Sequence, residues 1–271
     1  MEARYPKENP VRANIFDTHA HVSSPAFDED RDGVIERAKL SGVTFLEVGF
    51  DEDSSQASLS LAEKIGIYCA AGIHPHEALR SQALEERWKF IEGLASQSTR
   101  VRAIGEIGLD YFRDISPRKA QAEAFAMGLD LARRLELPVI IHQRDAHEDL
   151  LSMARANAGT PLIFHCFSQG LDYARECLDL GGYIGLGGPL SYPRNGYLRD
   201  MLAFLPLDRV LVETDCPYLP PQARRGKRNE PSFILEVISA IAEVLGSTAD
   251  EIARLTLENG RRVFGIMEQK W

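Results

Sequence analysis

The sequence predicts a single α/β domain built as a (β/α)8 TIM barrel, and three observations carry that prediction. Eight short, β-branched apolar runs recur at intervals of about 15 to 40 residues, most of them separated by a helical pattern. The runs lack strict polar alternation, as strands buried on both faces should. Several of them end in His, Glu or Asp, which suits the catalytic face of a barrel and suits a core poorly. A doubly wound open sheet is the main competitor. It usually follows its first strand with a Gly-rich turn, and here histidines follow instead.

Taken in order, the expected strands are 14–16, 43–50, 67–72, 101–104, 138–141, 161–164, 183–186 and 209–212. Between them, Asp30 to Leu40 reads as a helix closed by Gly42. Ser116 as N-cap and Pro117 as first helical residue open another, which runs through Phe125 and Leu129 to Leu135. Ile234, Val237, Ile238, Ile241 and Leu245 share one face at helical spacing, and Thr248 with Glu251 forms a capping box for the last helix.

The chain of 271 residues is long enough to bury a full core, and no linker divides it. The expected organisation is an N-terminal extension over 1–13 and one barrel domain over 14–271. Lys+Arg 31 against Asp+Glu 40 gives a net charge of −9, which argues against sequence-independent coating of nucleic acid. Cys69, Cys166, Cys177 and Cys216 show no CxxC spacing and read as reduced thiols. The first residues hold Arg4, Lys7 and Arg12 but no apolar stretch of a signal peptide. Glu236 and Glu243 interrupt the most apolar late run, which excludes it as a membrane span. The expectation is a cytoplasmic protein with no membrane partner, compatible with a monomer.

The chemistry is concentrated at the strand ends. Asp17-Thr18-His19-Ala20-His21 follows the first run, and imidazoles at i and i+2 of extended backbone share a side. A lone His-x-His pair is more often a core or edge feature than a metal site. The other runs change that balance: they end in His74-Pro75-His76, in Gly105-Glu106-Ile107-Gly108-Leu109-Asp110, in His142, in His165 and in Glu213-Thr214-Asp215. His147 is the one histidine of seven away from a strand end. Four imidazoles, a Glu and an Asp supply ligands for two divalent ions, and the mixture admits Mg, Mn or Zn. Glu106, on a central strand, is well placed to bridge the two. Such a pair lowers the pKa of a water and clamps a displacement at phosphorus, which implies hydrolysis.

These motifs, together with Gly72-Ile73-His74-Pro75-His76, His165-Cys166-Phe167-Ser168 and Arg228-Asn229-Glu230-Pro231, resemble those of the TatD family of metal-dependent deoxyribonucleases. The resemblance runs from Asn14 to about Ile266. It implies a TIM barrel with two metals, His19 and His21 binding one ion with Asp215, His142 and His165 the other, and Glu106 bridging. Two departures from the family pattern, Gln143 after His142 and Gln169 before Gly170, touch no ligand and bear on substrate preference.

Asp215 reads either as a ligand alone or as a ligand that also takes a proton from the attacking water. His74 is a candidate for contact with the substrate phosphate, whereas His76 reads as a solvated loop residue. Cys166 and Cys216 each follow a ligand and, on extended backbone, would face away from the metals. Arg224-Arg225-Gly226-Lys227-Arg228 lies past strand eight, where Arg224, Arg225, Lys227 and Arg228 can meet a nucleic-acid backbone or simply stay solvated. Tyr111, Phe112 and Tyr218 on the same face are candidates for stacking on unpaired bases. The leading expectation is a hydrolase of DNA phosphodiesters acting from the 3′ end. The alternatives are an ester, amide or aminoacyl-tRNA deacylase using the same site, and a metal-stabilised binding protein of low turnover.

Overall fold

A computed structural model describes residues 14–156 and 159–266; the expected extension over 1–13 lies outside the described residues. Eight strands form one parallel sheet in sequential order. They are β1 (Ile15–Ala20), β2 (Val43–Val48), β3 (Tyr68–Ala71), β4 (Val101–Asp110), β5 (Val139–Arg144), β6 (Leu162–Phe164), β7 (Tyr183–Leu186) and β8 (Val210–Val212). The helices between and after them are α1 (Arg31–Leu40), α2 (Glu52–Ile65), α3 (Leu84–Gln97), α4 (Arg118–Leu135), α5 (His147–Ala156), α6 (Leu171–Asp179), α7 (Gly196–Leu202), α8 (Ile234–Leu245) and α9 (Ala249–Phe264). β8 meets β1 through the bridge Ala20–Cys216, with Thr18 Oγ1 donating to Val212 O at 3.0 Å. The sheet thereby closes into a TIM barrel.

The two-sided burial expected of the runs is what packs the barrel. One cluster takes a residue from every strand, Phe16, Leu46, Ala70, Ala103, Ile140, Ile163, Tyr183 and Leu211 among them, and fills the interior. The neighbouring positions, such as Ile15, Phe45, Cys69, Ile104, Ile141, Phe164, Ile184 and Val212, point outward into a shell shared with the helices. Alternation along each strand thus separates two apolar layers rather than an apolar from a polar one. Phe264 of α9 closes the interior from below, its ring 5.9 Å from that of Phe16 in an edge-on contact.

Helix ends follow local chemistry. α9 opens on the expected Thr248/Glu251 capping box, and α2 opens on a second one, Asp51 with Ser54. Ser116 is not the cap of α4. Pro117 takes that position, and Ser116 Oγ instead donates to His76 O at 2.9 Å and accepts from Leu79 N at 3.2 Å, tying two loops together. Gly42, at φ +69°, lies one residue beyond Ser41, the C-cap of α1. Among the described residues no single helix is long and apolar enough to cross a membrane.

The largest departure from expectation is in strand length. β1 continues through Ala20 and so contains His19, and β4 continues six residues past Ile104 to Asp110. Gly105-Glu106-Ile107-Gly108-Leu109-Asp110 is expected at the end of the run over 101–104, and its glycines and carboxylates have low strand propensity. Pairing with β5, Gly108 opposite His142 and Asp110 opposite Arg144, overrides that local preference.

A candidate metal centre at the C-terminal mouth of the barrel

Two strands break register where they present their polar side chains. The β1–β2 ladder shifts between Asp17 and Ala20, around His19, and the β4–β5 ladder shifts between Ile104 and Ile107, around Glu106. An irregularity of this kind re-aims a side chain without ending the strand. Gly108 is needed beside it, because a Cβ there would run into the carbonyl of His142 on β5. The segment after β8 then folds back on β1: Asp215 N donates to His19 O and His21 N to Cys216 O, both at 2.9 Å. Asp17, fully buried, holds this seam by accepting from Thr214 N at 2.9 Å and from His19 N at 3.2 Å, with Thr214 Oγ1 2.6 Å from its second oxygen.

The result is a cluster centred on Glu106, whose two oxygens face different partners. Oε1 lies 2.9 Å from His142 Nδ1, 2.9 Å from His165 Nε2 and 3.5 Å from His74 Nε2. Oε2 lies 3.5 Å from His19 Nε2 and 3.8 Å from His21 Nε2. Asp215 Oδ1 completes the second side, 3.9 Å from His19 Nε2 and 3.6 Å from His21 Nε2. All six residues expected to ligate metal therefore meet at one point. Three overlapping groups bring their ligand atoms within 4.8 Å of one another: His19, His21 and Asp215; His19, Glu106 and His165; His74, Glu106 and His142.

Hydrogen bonds on the far side of the rings decide which nitrogen faces inward. His21 Nδ1 lies 2.7 Å from Val48 O and must donate to it, so the Nε2 lone pair is turned into the cluster. There it sits 3.1 Å from His19 Nε2. His142 Nε2 lies 3.2 Å from Asp110 Oδ2, which leaves Nδ1 to face Glu106. His165 Nδ1 lies 3.3 Å from Glu213 Oε1, and its ring stacks on His19 at 4.0 Å. His74 is different. Its Nδ1 accepts from His76 N at 3.1 Å, so its Nε2 carries the hydrogen and is a donor toward the cluster. Distance alone admits His74 to the third group, but the tautomer makes it a poor ligand.

The electrostatics ask for positive charge at the same point. Burial would raise the pKa of Glu106, yet His165 and His74 hold it well below the carboxylate range. Burial likewise opposes the charge on His21, but Asp215 and Glu106 raise it to about 9. His142 and His165 are raised in the same way against the same burial, by Asp110 and Glu106 and by Glu106 and Glu213 respectively. Converging lone pairs, ionised carboxylates and dry walls fit divalent cations, and this donor set of imidazoles and carboxylates suits the metals expected.

Carboxylates given no role from sequence hold the rings in place. Asp110 Oδ2 meets His142 and also His76 Nε2 at 2.8 Å, so His76 is not the solvated loop residue expected. Glu213, fully buried, supports His165 and accepts from Cys166 N; Gly185 makes room for it, since a Cβ there would collide with its Oε2. Both residues stand in the motifs beside the expected ligands, and their position was the available signal. The extended backbone assumed at the two cysteines is absent at Cys166, which has φ +46°, whereas Cys216 pairs with Ala20 in a parallel β-bridge. Cys216 is buried in the outer core, and burial pushes the Cys166 thiol well up, so neither is a ready nucleophile.

The basic loop is less open than its composition suggests. Arg224 Nε meets Glu236 at 2.6 Å, Arg228 meets Asp30 at 2.8 Å, and the Arg225 guanidinium lies 4.8 Å from the Tyr192 ring centre. Asn229 ties the loop to the site by donating to Thr214 O at 2.8 Å and Tyr218 O at 2.7 Å. Tyr111 is engaged by Asp149 at 2.8 Å, while Phe112 and Tyr218 are exposed.

Comparison with known proteins points one way. The family model described as TatD related DNase matches residues 16–265. An uncharacterized metal-dependent hydrolase, YabD of Bacillus subtilis, is 40% identical over 256 residues, covering 93% of this chain and 99% of its own. A 3′–5′ ssDNA/RNA exonuclease, TatD of Erwinia tasmaniensis, is 38% identical over 262 residues, covering 93% of this chain and 100% of its own. Among solved structures, the TatD homologue YjjV of Escherichia coli K12 superposes with a TM-score of 0.87 at 32% identity, covering 93% of this chain and 98% of that one. With the barrel, the motif order and matches that run nearly end to end, the chain belongs to the TatD-related DNase family.

Proposed function

We propose that the chain is a two-metal phosphodiesterase that removes nucleotides from the 3′ end of single-stranded DNA. The observation that carries this reading is the division of Glu106, Oε1 facing His142 and His165 and Oε2 facing His19 and His21. A carboxylate shared in this way suits a bridge between two ions. His19, His21 and Asp215 would hold one ion and His142 and His165 the other. Two divalent ions so held would activate a water and neutralise charge on the phosphate.

The protein's own groups supply the rest. Asp215, kept ionised by His21 against its burial, accepts a proton from the attacking water. His74, lowered to about 4 by burial, stays neutral and offers its Nε2 hydrogen to a phosphate oxygen. Asp110 and Glu213 fix the rings of His142 and His165. Arg225 and Lys227 meet the backbone of the incoming strand. Four free cysteines suit a cytoplasmic setting.

The names of the relatives support a nucleic-acid substrate and a 3′ start. The test is a panel of 3′- and 5′-labelled single-stranded DNA, duplex DNA, RNA and aminoacyl-tRNA, run with Mg, Mn and Zn. Mononucleotides released from the 3′ end of single strands are expected. Cleavage of aminoacyl-tRNA alone would move the site to ester hydrolysis, and no turnover with any metal would defeat the proposal.

A further inference from the structure

The β4–β5 ladder carries a cation that the site as described does not use. Asp110 pairs with Arg144 two residues beyond the Gly108–His142 pair, so Arg144 leaves β5 on the same side as His142, one pleat nearer solvent. A two-residue step is about 6.6 Å of strand, close to the spacing of successive phosphates in an extended single strand. The guanidinium lies over the ring of Phe112, 3.9 Å from its centre. Phe112 follows β4, is 59% exposed and has its backbone fixed by Phe112 N donating to Asp110 Oδ1 at 3.1 Å. The same Asp110 steadies His142 through its other oxygen, so the ring and the metal-site imidazole are referred to one buried carboxylate.

Arg144 differs from two of the arginines of the loop past β8. Arg224 and Arg228 are neutralised by Glu236 and Asp30, whereas among the described residues no carboxylate lies within ion-pair distance of Arg144. An arginine held flat on an aromatic ring keeps its edge donors free for a phosphate, and this orientation costs little further side-chain entropy on binding. An exposed phenylalanine with one face covered by a guanidinium offers its other face to a base. An exposed aromatic stacked by an arginine is also a common solvated surface pair, but such a pair needs no place in line with His142 at the barrel mouth.

We propose that Arg144 and Phe112 seat the nucleotide next to the scissile bond, the guanidinium on a neighbouring phosphate oxygen and the open face of the ring on its base. The proposal rests on the phosphodiesterase reading and adds to it a contact that discriminates a polynucleotide from a minimal diester. Base identity is left unread, because stacking is tolerant of all four bases.

The test compares wild type, Arg144→Gln, Arg144→Lys and Phe112→Ala, each loaded with Mn, on a single-stranded DNA 12-mer and on bis(p-nitrophenyl) phosphate. Wild-type cleavage of the 12-mer establishes the underlying reading, and without it that reading fails rather than the Arg144 assignment. Arg144→Gln should raise KM for the 12-mer about tenfold with a smaller loss on the small diester, and flatten the log–log salt dependence of KM by about 0.7, one phosphate contact. Arg144→Lys should keep the salt slope and recover part of the affinity. Phe112→Ala should raise KM for the 12-mer with the slope intact, and an abasic 12-mer should erase the difference from wild type. Equal losses on both substrates, or an unchanged slope in Arg144→Gln, would overturn the assignment and leave the pair as surface packing.

Discussion

Asp17→Asn should remove a pH-dependent weakness from the barrel. Asp17 is fully buried at the β8–β1 seam, and burial raises its carboxyl from 3.8 to about 8 despite the hydrogen bonds from Thr214 and His19. Because the folded value lies above the unfolded one, the native state holds the proton more tightly. The stability this contributes is full below pH 3.8 and is lost as pH rises toward 8. Between pH 5 and pH 7 the unfolded chain is ionised while the folded one is not, so stability falls by about 1.4 kcal/mol per pH unit, about 2.7 kcal/mol in all. For a chain of this size that corresponds to about 5–10 °C in Tm. Asn keeps an oxygen for Thr214 N and His19 N and places an amide hydrogen where the protonated oxygen faced Thr214 Oγ1. The assay is Tm by circular dichroism on chelator-treated protein at pH 5, 6, 7 and 8. Wild type should lose about 5–10 °C more than Asp17→Asn between pH 5 and pH 7. Parallel curves would mean that Asp17 is ionised in the fold and that its three donors outweigh desolvation.

Glu106→Ala should lower metal content at both sites and cut hydrolysis by several orders of magnitude with the barrel intact; two ions retained per chain by elemental analysis would remove Glu106 as a bridge. Asp215→Asn should lower kcat far more than metal content and change the acidic limb of the rate–pH profile; parallel losses of metal and activity would make Asp215 a ligand only. Changing Arg225 and Lys227 together to Ser should flatten the salt slope of single-stranded DNA binding by about 1.4. Adding Arg224→Ser and Arg228→Ser should flatten it no further, since those two cations are already paired with Glu236 and Asp30; a quadruple variant near 2.8 would show that the pairs open on binding.

Much of this was legible before any coordinate, and the limits were physical. All eight runs became strands because burial on both faces is written in composition, which a periodicity test reads directly. Strand ends were less legible. His19 and Glu106 lie inside β1 and β4, since ladder pairing carried polar and glycine residues that local propensity assigns to loops. The six expected ligands were recognisable because each follows an apolar run, and the structure brings them together. Which nitrogen each imidazole presents was not recognisable. It depends on Val48 O, Asp110 and Glu213, partners from other strands that no spacing rule connects. The surroundings of the loop arginines were not legible either. Their charge is plain in the sequence, but Glu236 and Asp30, which neutralise two of them, are near only in space.

The seam explains why the site and the closure of the barrel share residues. Neighbouring strands elsewhere are joined by ladders of two to five paired residues, whereas β8 meets β1 at a single bridge. What holds that gap is polar: Asp17 with Thr214, His19 O with Asp215 N, and Cys216 O with His21 N. A fully laddered seam would hold His19, His21 and Asp215 in regular extended backbone. Beside the break the β1–β2 ladder shifts register and Asp215 takes a left-handed turn, and the side chains of His19, His21 and Asp215 converge. An ion bound by His19, His21 and Asp215 would span this gap and favour the closed barrel by its own binding energy. The weakest join of the sheet is then also the one that ligand binding reinforces. On the opposite wall, Glu106 and His142 stand within β4 and β5, which pair as far as Asp110–Arg144, and His165 stands just past β6, so these ligands do not depend on the single bridge of the seam.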